Sequence, residues 1–277
     1  MRFVTYQADE RTGLGVRTPA GIVATGYPDL REYLAAGDTA AAVLDRRLAS
    51  GAPAVRPDRI LSPLPERSQL ICVGGNYADH LTEAGLAPSE PVYFPKVWSA
   101  LLPPGEPLRM PEPTTLLDYE VELAVVIGRT ARHIAAADYL DYVFGFTVVN
   151  DISARDVMIR EHLQIMLCKS ADGFLPIADE IVTADEVDLD GNTLSCTVNG
   201  ELRQKATLDQ MLYDIPFLLE FLTRWVTLSP GDLVTTGSPG GSAMGRGPSA
   251  YLRPGDVVTA SVAGVTSVTT TVVGAQW

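Results

Sequence analysis

The chain has 277 residues, 46% hydrophobic and 20% charged, which suffices for a full buried core and is too apolar for a disordered protein. Acidic residues outnumber basic ones 34 to 21, and the formal net charge of -13 argues against partners built on phosphate backbones or anionic lipid, leaving a small molecule as the expected partner. Cys72, Cys168 and Cys196 are scattered with no CxxC pair, so neither a disulfide framework nor a thiolate zinc site is suggested.

In chain order, residues 1–27 read as short strands, MRFVTYQ and GIVATG among them, and residues 30–36 and 39–48 carry helical periodicity. The N-terminus meets acidic charge before any signal-like apolar region, and no apolar run approaches the ~20 residues of a membrane span, so a cytoplasmic protein is expected. The Pro-bearing stretch GAPAVRPDRILSPLPERS reads as a linker. It divides a small N-terminal domain, residues 1–65, from a larger catalytic one, residues 66–277.

The larger part alternates strands with turns: QLICVGG, YEVELAVVIG, YVFGFTVVND, LSCTVNGE, DLVTTGSPGG and VVTASVAG. Residues 215–226, IPFLLEFLTRWV, form the clearest helix. Many strands with few helices predict a β-rich α+β fold instead of a doubly wound parallel sheet.

The stretch DYEVELAVVIG puts Asp118, Glu120 and Glu122 on one face of a strand, successive side chains about 7 Å apart. A solvated face would explain three like charges, but residues 123–127 are apolar on both faces, the pattern of a strand buried on both. Unpartnered buried carboxylates are costly and repel one another, and a divalent cation removes that conflict. All-oxygen ligation selects hard cations, Mg²⁺ first. A third oxygen is supplied where the apolar strand over residues 142–149 ends in Asn150 and Asp151, although that dipeptide also suits a turn.

The order of GGNYADHLTE, DYEVELAVVIG, NDISARD, CKS, VNGELRQ and TTGSPGG over roughly residues 68–270 resembles the fumarylacetoacetate hydrolase family. The resemblance implies a mixed β-sandwich roll with a small N-terminal α/β appendage, a Mg²⁺ ion (with Mn²⁺ or Ca²⁺ as alternatives) and a homodimer. It assigns Glu120, Glu122 and Asp151 as metal ligands and moves Asp118 to a supporting position. His80 and Glu83 match the family's His-Glu dyad on a lid segment, with His80 as general base, while a plain surface i, i+3 pair is the competing reading.

Lys169 of CKS, one of only three lysines with Lys96 and Lys205, matches a residue that stabilises oxyanion charge and contacts substrate. Ser238 stands where the family usually has a Thr whose hydroxyl meets substrate. Asn76, Tyr77, Arg155, Arg203 and Gln204 fall in family motifs and read as architectural support. Met158, Ile165 and Gly173 depart from the common Gln, Trp and Thr and imply a reshaped pocket.

The implied reaction is hydrolysis of a carbon-carbon bond in a 2,4-dioxo acid of the acylpyruvate kind through a metal-stabilised enolate. The alternatives are decarboxylation of an oxaloacetate-type 2-oxo acid, isomerisation or hydration of a 2-oxo dienoate, and a ligand-binding homologue without catalysis. A Walker A reading of the loop at Gly240–Arg246 fails, because Arg246, Gly247 and Pro248 replace the lysine and hydroxyl residue that nucleotide binding requires.

Overall fold

The computed structural model describes residues 1–160 and 164–275. Strands β1 (Arg2–Ala8), β2 (Arg11–Thr18) and β3 (Gly21–Ala24) form an antiparallel meander, followed by α1 (Leu30–Ala36), α2 (Asp38–Ala49) and β4 (Arg59–Leu61). Helix α1 starts where the Asp29 side chain accepts from Glu32 N, and it stops at Gly37, whose φ of 52° suits a residue without a Cβ. Both helices bury apolar residues against Phe3, Leu14 and Val16. The stretch read as a linker is partly sheet: β4 pairs with β1, and Ile60 packs against Val4, Tyr6 and Ile22.

Next come β5 (Leu70–Gly74), α3 (Ala78–Glu83), β6 (Val92–Lys96), β7 (Leu101–Leu102), β8 (Leu108–Arg109), β9 (Leu117–Asp118) and β10 (Val121–Ile127). They are followed by β11 (Val143–Asn150), β12 (Ser153–Ala154), α4 (Arg155–Arg160), α5 (Ile165–Lys169), β13 (Leu175–Pro176) and β14 (Ile181–Thr183). The chain closes with β15 (Thr193–Val198), β16 (Glu201–Thr207), α6 (Ile215–Thr223), β17 (Leu233–Thr235), α7 (Ala243–Arg246), β18 (Val257–Val262) and β19 (Thr266–Val273).

One large mixed sheet runs β3-β2-β1-β14-β11-β10-β17-β5-β6 with β4 added on β1, and a second runs β16-β15-β18-β19-β8. Because β1 pairs with β14, the N-terminal meander continues the large sheet. Strand β10 is buried along its whole length, as its apolar run predicts. Val121, Leu123, Val125 and Ile127 share a core with Leu194, Cys196, Val258 and Ala260 of the second sheet, while Ala124 and Val126 join Phe3, Leu30 and Leu44. The result is the predicted β-rich α+β fold. No helix among the described residues is long and apolar enough to cross a membrane.

Four local expectations change. DYEVELAVVIG is not one strand: β9 pairs with β12, β10 pairs with β11, and Tyr119 and Glu120 lie between them. LSCTVNGE is a strand and a turn, with Asn199 at φ 53° and Gly200 at φ 81° making the tight two-residue connection of the β15–β16 hairpin. The helix expected over residues 215–226 ends at Thr223, whose carbonyl is taken by the His133 amide and the Arg132 guanidinium. Strand β19 has no clear signature in the sequence, because its run of Thr and Val gives little polar contrast between faces.

Candidate active site

Register brings the acidic residues together. Val121 pairs with Asn150 and Glu122 with Val149, so the start of β10 meets the end of β11. The junction is tightened by Asp151 N donating to Glu120 O at 2.8 Å and Glu120 N donating to Asn150 Oδ1 at 2.9 Å. Glu120, Glu122 and Asp151 are all buried, and each offers a carboxylate oxygen within 4.8 Å of the others.

Among the described residues, three cations surround this triad. Lys169 Nζ donates to Glu120 Oε2 at 2.5 Å and to Asp151 Oδ2 at 2.8 Å. Arg155 bridges Glu120 through Nη2 and Asp118 through Nε, the latter at 2.9 Å. Lys96 Nζ lies 2.5 Å from Asp151 Oδ1, and among the described residues that oxygen accepts no hydrogen bond, so the contact is an ion pair alone. Among the described residues Glu122 has no cation in salt-bridge contact, and Gly237 N donates to it at 3.0 Å.

The electrostatics follow from this arrangement. Burial, with repulsion from Asp151 and Glu120, pushes the Glu122 carboxyl well above the usual carboxylate range. Burial acts the same way on Glu120, but Lys169, Arg155 and His80 outweigh it and hold that carboxyl well below. Burial lowers the Lys169 ammonium while Asp151 and Glu120 more than restore it, so it stays protonated. An oxygen-only donor set, one buried oxygen without a hydrogen bond and one carboxylate without a cation suit a hard divalent ion.

The dyad residues meet the triad from α3. His80 Nδ1 is 3.7 Å from Glu83 Oε2, and Nε2 is 3.5 Å from Glu120 Oε1. Burial raises the Glu83 carboxyl, but hydrogen bonds from Gly241 and Ser242, with the nearby His80 imidazole, outweigh it and leave it below the usual range, although among the described residues His80 Nδ1 makes no hydrogen bond of its own. Gly241 N donates to Glu83 Oε1 at 2.6 Å and Ser242 Oγ to Oε2 at 3.1 Å. The loop that superficially resembles a phosphate cradle instead lies on α3: a Cβ at Gly245 would come within 2.2 Å of Glu83 Cδ.

Ser238 is buried, and its Oγ accepts from Gln204 Nε2 at 2.9 Å, while Gln204 Oε1 accepts from Val121 N at 3.0 Å. Asn76 ties Tyr213 O to Thr236 O, the supporting role expected of it. Of the three departures, Met158 lies half-buried on α4 and Ile165 is exposed on α5. Gly173, at φ 79°, lines a cavity of about 410 Å³ with Leu101, Leu102 and Met110. Lys96, Arg155 and Ser242 take larger parts in this site than their sequence contexts imply, and the scarcity of lysine is the one local sign at Lys96.

The buried carboxylates at a strand junction, faced by a His-Glu pair on a short helix, define a β-rich enzyme scaffold. Residues 69–273 match the family described as fumarylacetoacetate (FAA) hydrolase C-terminal, and the chain belongs to that family. It is 37% identical over 272 residues to oxaloacetate tautomerase Fahd2a, mitochondrial, of Rattus norvegicus, covering 93% of this chain and 87% of that one. Fumarylacetoacetate hydrolase of Exiguobacterium antarcticum superposes with a TM-score of 0.85 at 33% identity, covering 99% and 100% of the two chains. Fumarylpyruvate hydrolase of Pseudomonas aeruginosa, solved with Mn²⁺ and pyruvate, gives 0.69 at 29% identity, covering 79% and 93%.

Proposed function

We propose that the chain is a divalent-metal-dependent enzyme of 2-oxo acid enol chemistry, and that its reaction is proton transfer between the keto and enol forms of an oxaloacetate-type 2-oxo diacid. The observation that carries this reading is the placement of His80, with one ring nitrogen toward Glu83 and the other 3.5 Å from a carboxylate of the triad. The name of the rat relative, matched over most of both chains, favours tautomerisation over the carbon-carbon hydrolysis that the motifs alone put first.

Glu120, Glu122 and Asp151 would hold the ion, Mg²⁺ by preference with Mn²⁺ or Ca²⁺ as alternatives. Bound there, a divalent cation supplies positive charge that polarises the 2-oxo carbonyl. His80 Nε2 would remove a proton from the carbon next to that carbonyl while the carbonyl oxygen takes one from solvent, giving the enol; in reverse the oxygen releases its proton and His80 returns one to the carbon. Glu83 orients the imidazole and balances the charge it acquires. Lys169 Nζ offsets negative charge growing on substrate oxygen, and Ser238 Oγ offers a further hydrogen bond.

Hydrolysis of a 2,4-dioxo acid is the second reading, favoured by the likeness to fumarylpyruvate hydrolase. The same dyad would then activate water for attack on the carbonyl two carbons beyond the 2-oxo group. A homodimer and a cytoplasmic location belong to this proposal; the rat relative is itself named mitochondrial.

The test is to supply Mg²⁺ or Mn²⁺ to the purified protein and follow enol absorbance and pyruvate release with oxaloacetate and with acylpyruvates. Faster approach of oxaloacetate to keto–enol equilibrium without pyruvate supports tautomerisation. Pyruvate from acylpyruvates replaces it with hydrolysis, and pyruvate with carbon dioxide from oxaloacetate replaces it with decarboxylation. No turnover of either class would return the chain to a ligand-binding role.

A further inference from the structure

We propose that Ser242 is the positioning residue of the His80–Glu83 dyad, its hydroxyl fixing the Glu83 oxygen that faces the imidazole. The proposal rests on the reading of His80 as the proton-transferring group.

Ser242 is fully buried and occupies the N-cap of α7, where a serine side chain ordinarily accepts from the first free amides of its own helix. It makes no such bond. Of the amides such a cap accepts from, Met244 N donates to Asp118 Oδ2 at 3.2 Å and Gly245 N to the Ser242 carbonyl at 3.2 Å, while Ala243 N donates to Asp118 Oδ1 at 2.7 Å. With capping transferred to Asp118, the Ser242 hydroxyl is free to donate to Glu83 Oε2 at 3.1 Å.

Glu83 is thereby held at both oxygens, Oε1 by Gly241 N and Oε2 by Ser242 Oγ. Rotation of the carboxylate would break one bond or the other. An ionised carboxylate only accepts, so Oε2 presents its remaining lone pair to His80 Nδ1, 3.7 Å away. A proton on Nδ1 leaves Nε2 bare on the side of Glu120, the tautomer that a base requires. Asp118 is fixed in turn by Arg155, which also holds Glu120, so helix cap, dyad and triad share one chain of contacts.

The experiment compares Ser242→Ala and Ser242→Thr in the full chain loaded with Mg²⁺. Ser242→Ala is expected to lower kcat by about tenfold or more, the usual effect of removing a group that orients a site residue, with KM, Mg²⁺ affinity and Tm little changed. Ser242→Thr restores the hydroxyl and is expected to recover most of the rate. In a Glu83→Gln background, Ser242→Ala should cost nothing further.

A second readout needs no substrate. Imidazole ¹⁵N shifts of His80 at fixed pH should report a proton on Nδ1 in the parent protein and a tautomer mixture in Ser242→Ala. Unchanged shifts, an unchanged kcat, or an equal loss in the Glu83→Gln background would overturn the proposal. If His80→Ala leaves turnover intact, the dyad reading itself has failed; if His80→Ala abolishes turnover and Ser242→Ala does not affect it, only the present inference has.

Discussion

Lys96 Nζ and Asp151 Oδ1 face each other at 2.5 Å, with the lysine side chain wholly enclosed. The ammonium also donates to Phe174 O at 2.6 Å and Ile152 O at 3.3 Å, so it serves the backbone and a carboxylate together. Removing one partner of a buried pair leaves a buried charge uncompensated, at about 3–5 kcal/mol. Lys96→Met is therefore expected to destabilise the metal-free protein by about 3 kcal/mol, near the low end because Lys169 still holds the other oxygen. Urea unfolding measures this, and saturating Mg²⁺ should recover part of it; equal stability of variant and parent would contradict the pairing.

Glu122→Gln keeps the side chain's volume and removes a ligand charge. Binding of Mg²⁺ and turnover should vanish together, followed by calorimetry and by the oxaloacetate assay. In the parent protein, an ion at 100 times its Kd raises stability by about 2.7 kcal/mol, so the rise in Tm on adding Mg²⁺ should disappear in the variant.

Binding of the ion should release protons. Burial, with repulsion from Asp151 and Glu120, keeps a proton on Glu122 above the ordinary carboxylate range, whereas a ligand must be ionised. Affinity for Mg²⁺ is expected to rise with pH through that interval and level off once Glu122 ionises unaided. The raised pKa also means that Glu122's own contribution to metal-free stability is fully present below the unfolded value of about 4.3 and is lost as pH rises through the folded value, opposite in sense to the contributions of Glu120 and Glu83. Calorimetry in buffers of different ionisation enthalpy, repeated from acid to neutral pH, counts the protons; a count of zero at every pH above the ordinary carboxylate range would exclude Glu122 as their source.

His80→Ala should lower turnover by about 10²–10⁴-fold, the usual worth of a positioned acid-base group, while leaving Mg²⁺ affinity close to that of the parent. A loss of affinity as large as the loss of rate would mean that His80 acts by holding the triad.

The division at residue 65 is a proposal about folding units. Residues 66–277 expressed alone would leave the β14 edge unpaired and uncover the side of β10 that packs on Phe3 and Leu30. The shortened protein is expected to bind Mg²⁺ with a Tm lower by several degrees, since ~1 kcal/mol shifts Tm by about 2–4 °C in a protein of this size. Scanning calorimetry decides, because two independent units would melt separately in the full chain.

Much of the site was legible in the sequence because its carboxylates stand beside apolar runs that must be buried, as at Glu122 before residues 123–127 and Asp151 after Val148 and Val149. Fold class was legible for the same reason, since β10 and β11 read as core strands. Contacts that depend on long-range closure were not. Nothing local says that Lys96, 55 residues before Asp151, will face it, or that Asp118 will cap a helix beginning at Ala243. The break at Tyr119 and Glu120 was hidden because both halves of DYEVELAVVIG satisfy strand patterning and part only by choosing different partners.

The pairing of Val121 with Asn150 has a consequence for how the chain reaches its fold. Strand side chains alternate, so a slip of one residue between β10 and β11 would turn Glu122 toward the apolar space between the sheets and leave a valine where a carboxylate belongs. Such a misaligned chain would have no place for a cation. An ion that binds only the correct alignment draws the population toward it by mass action, so the ligands would select among folding outcomes before any substrate is met.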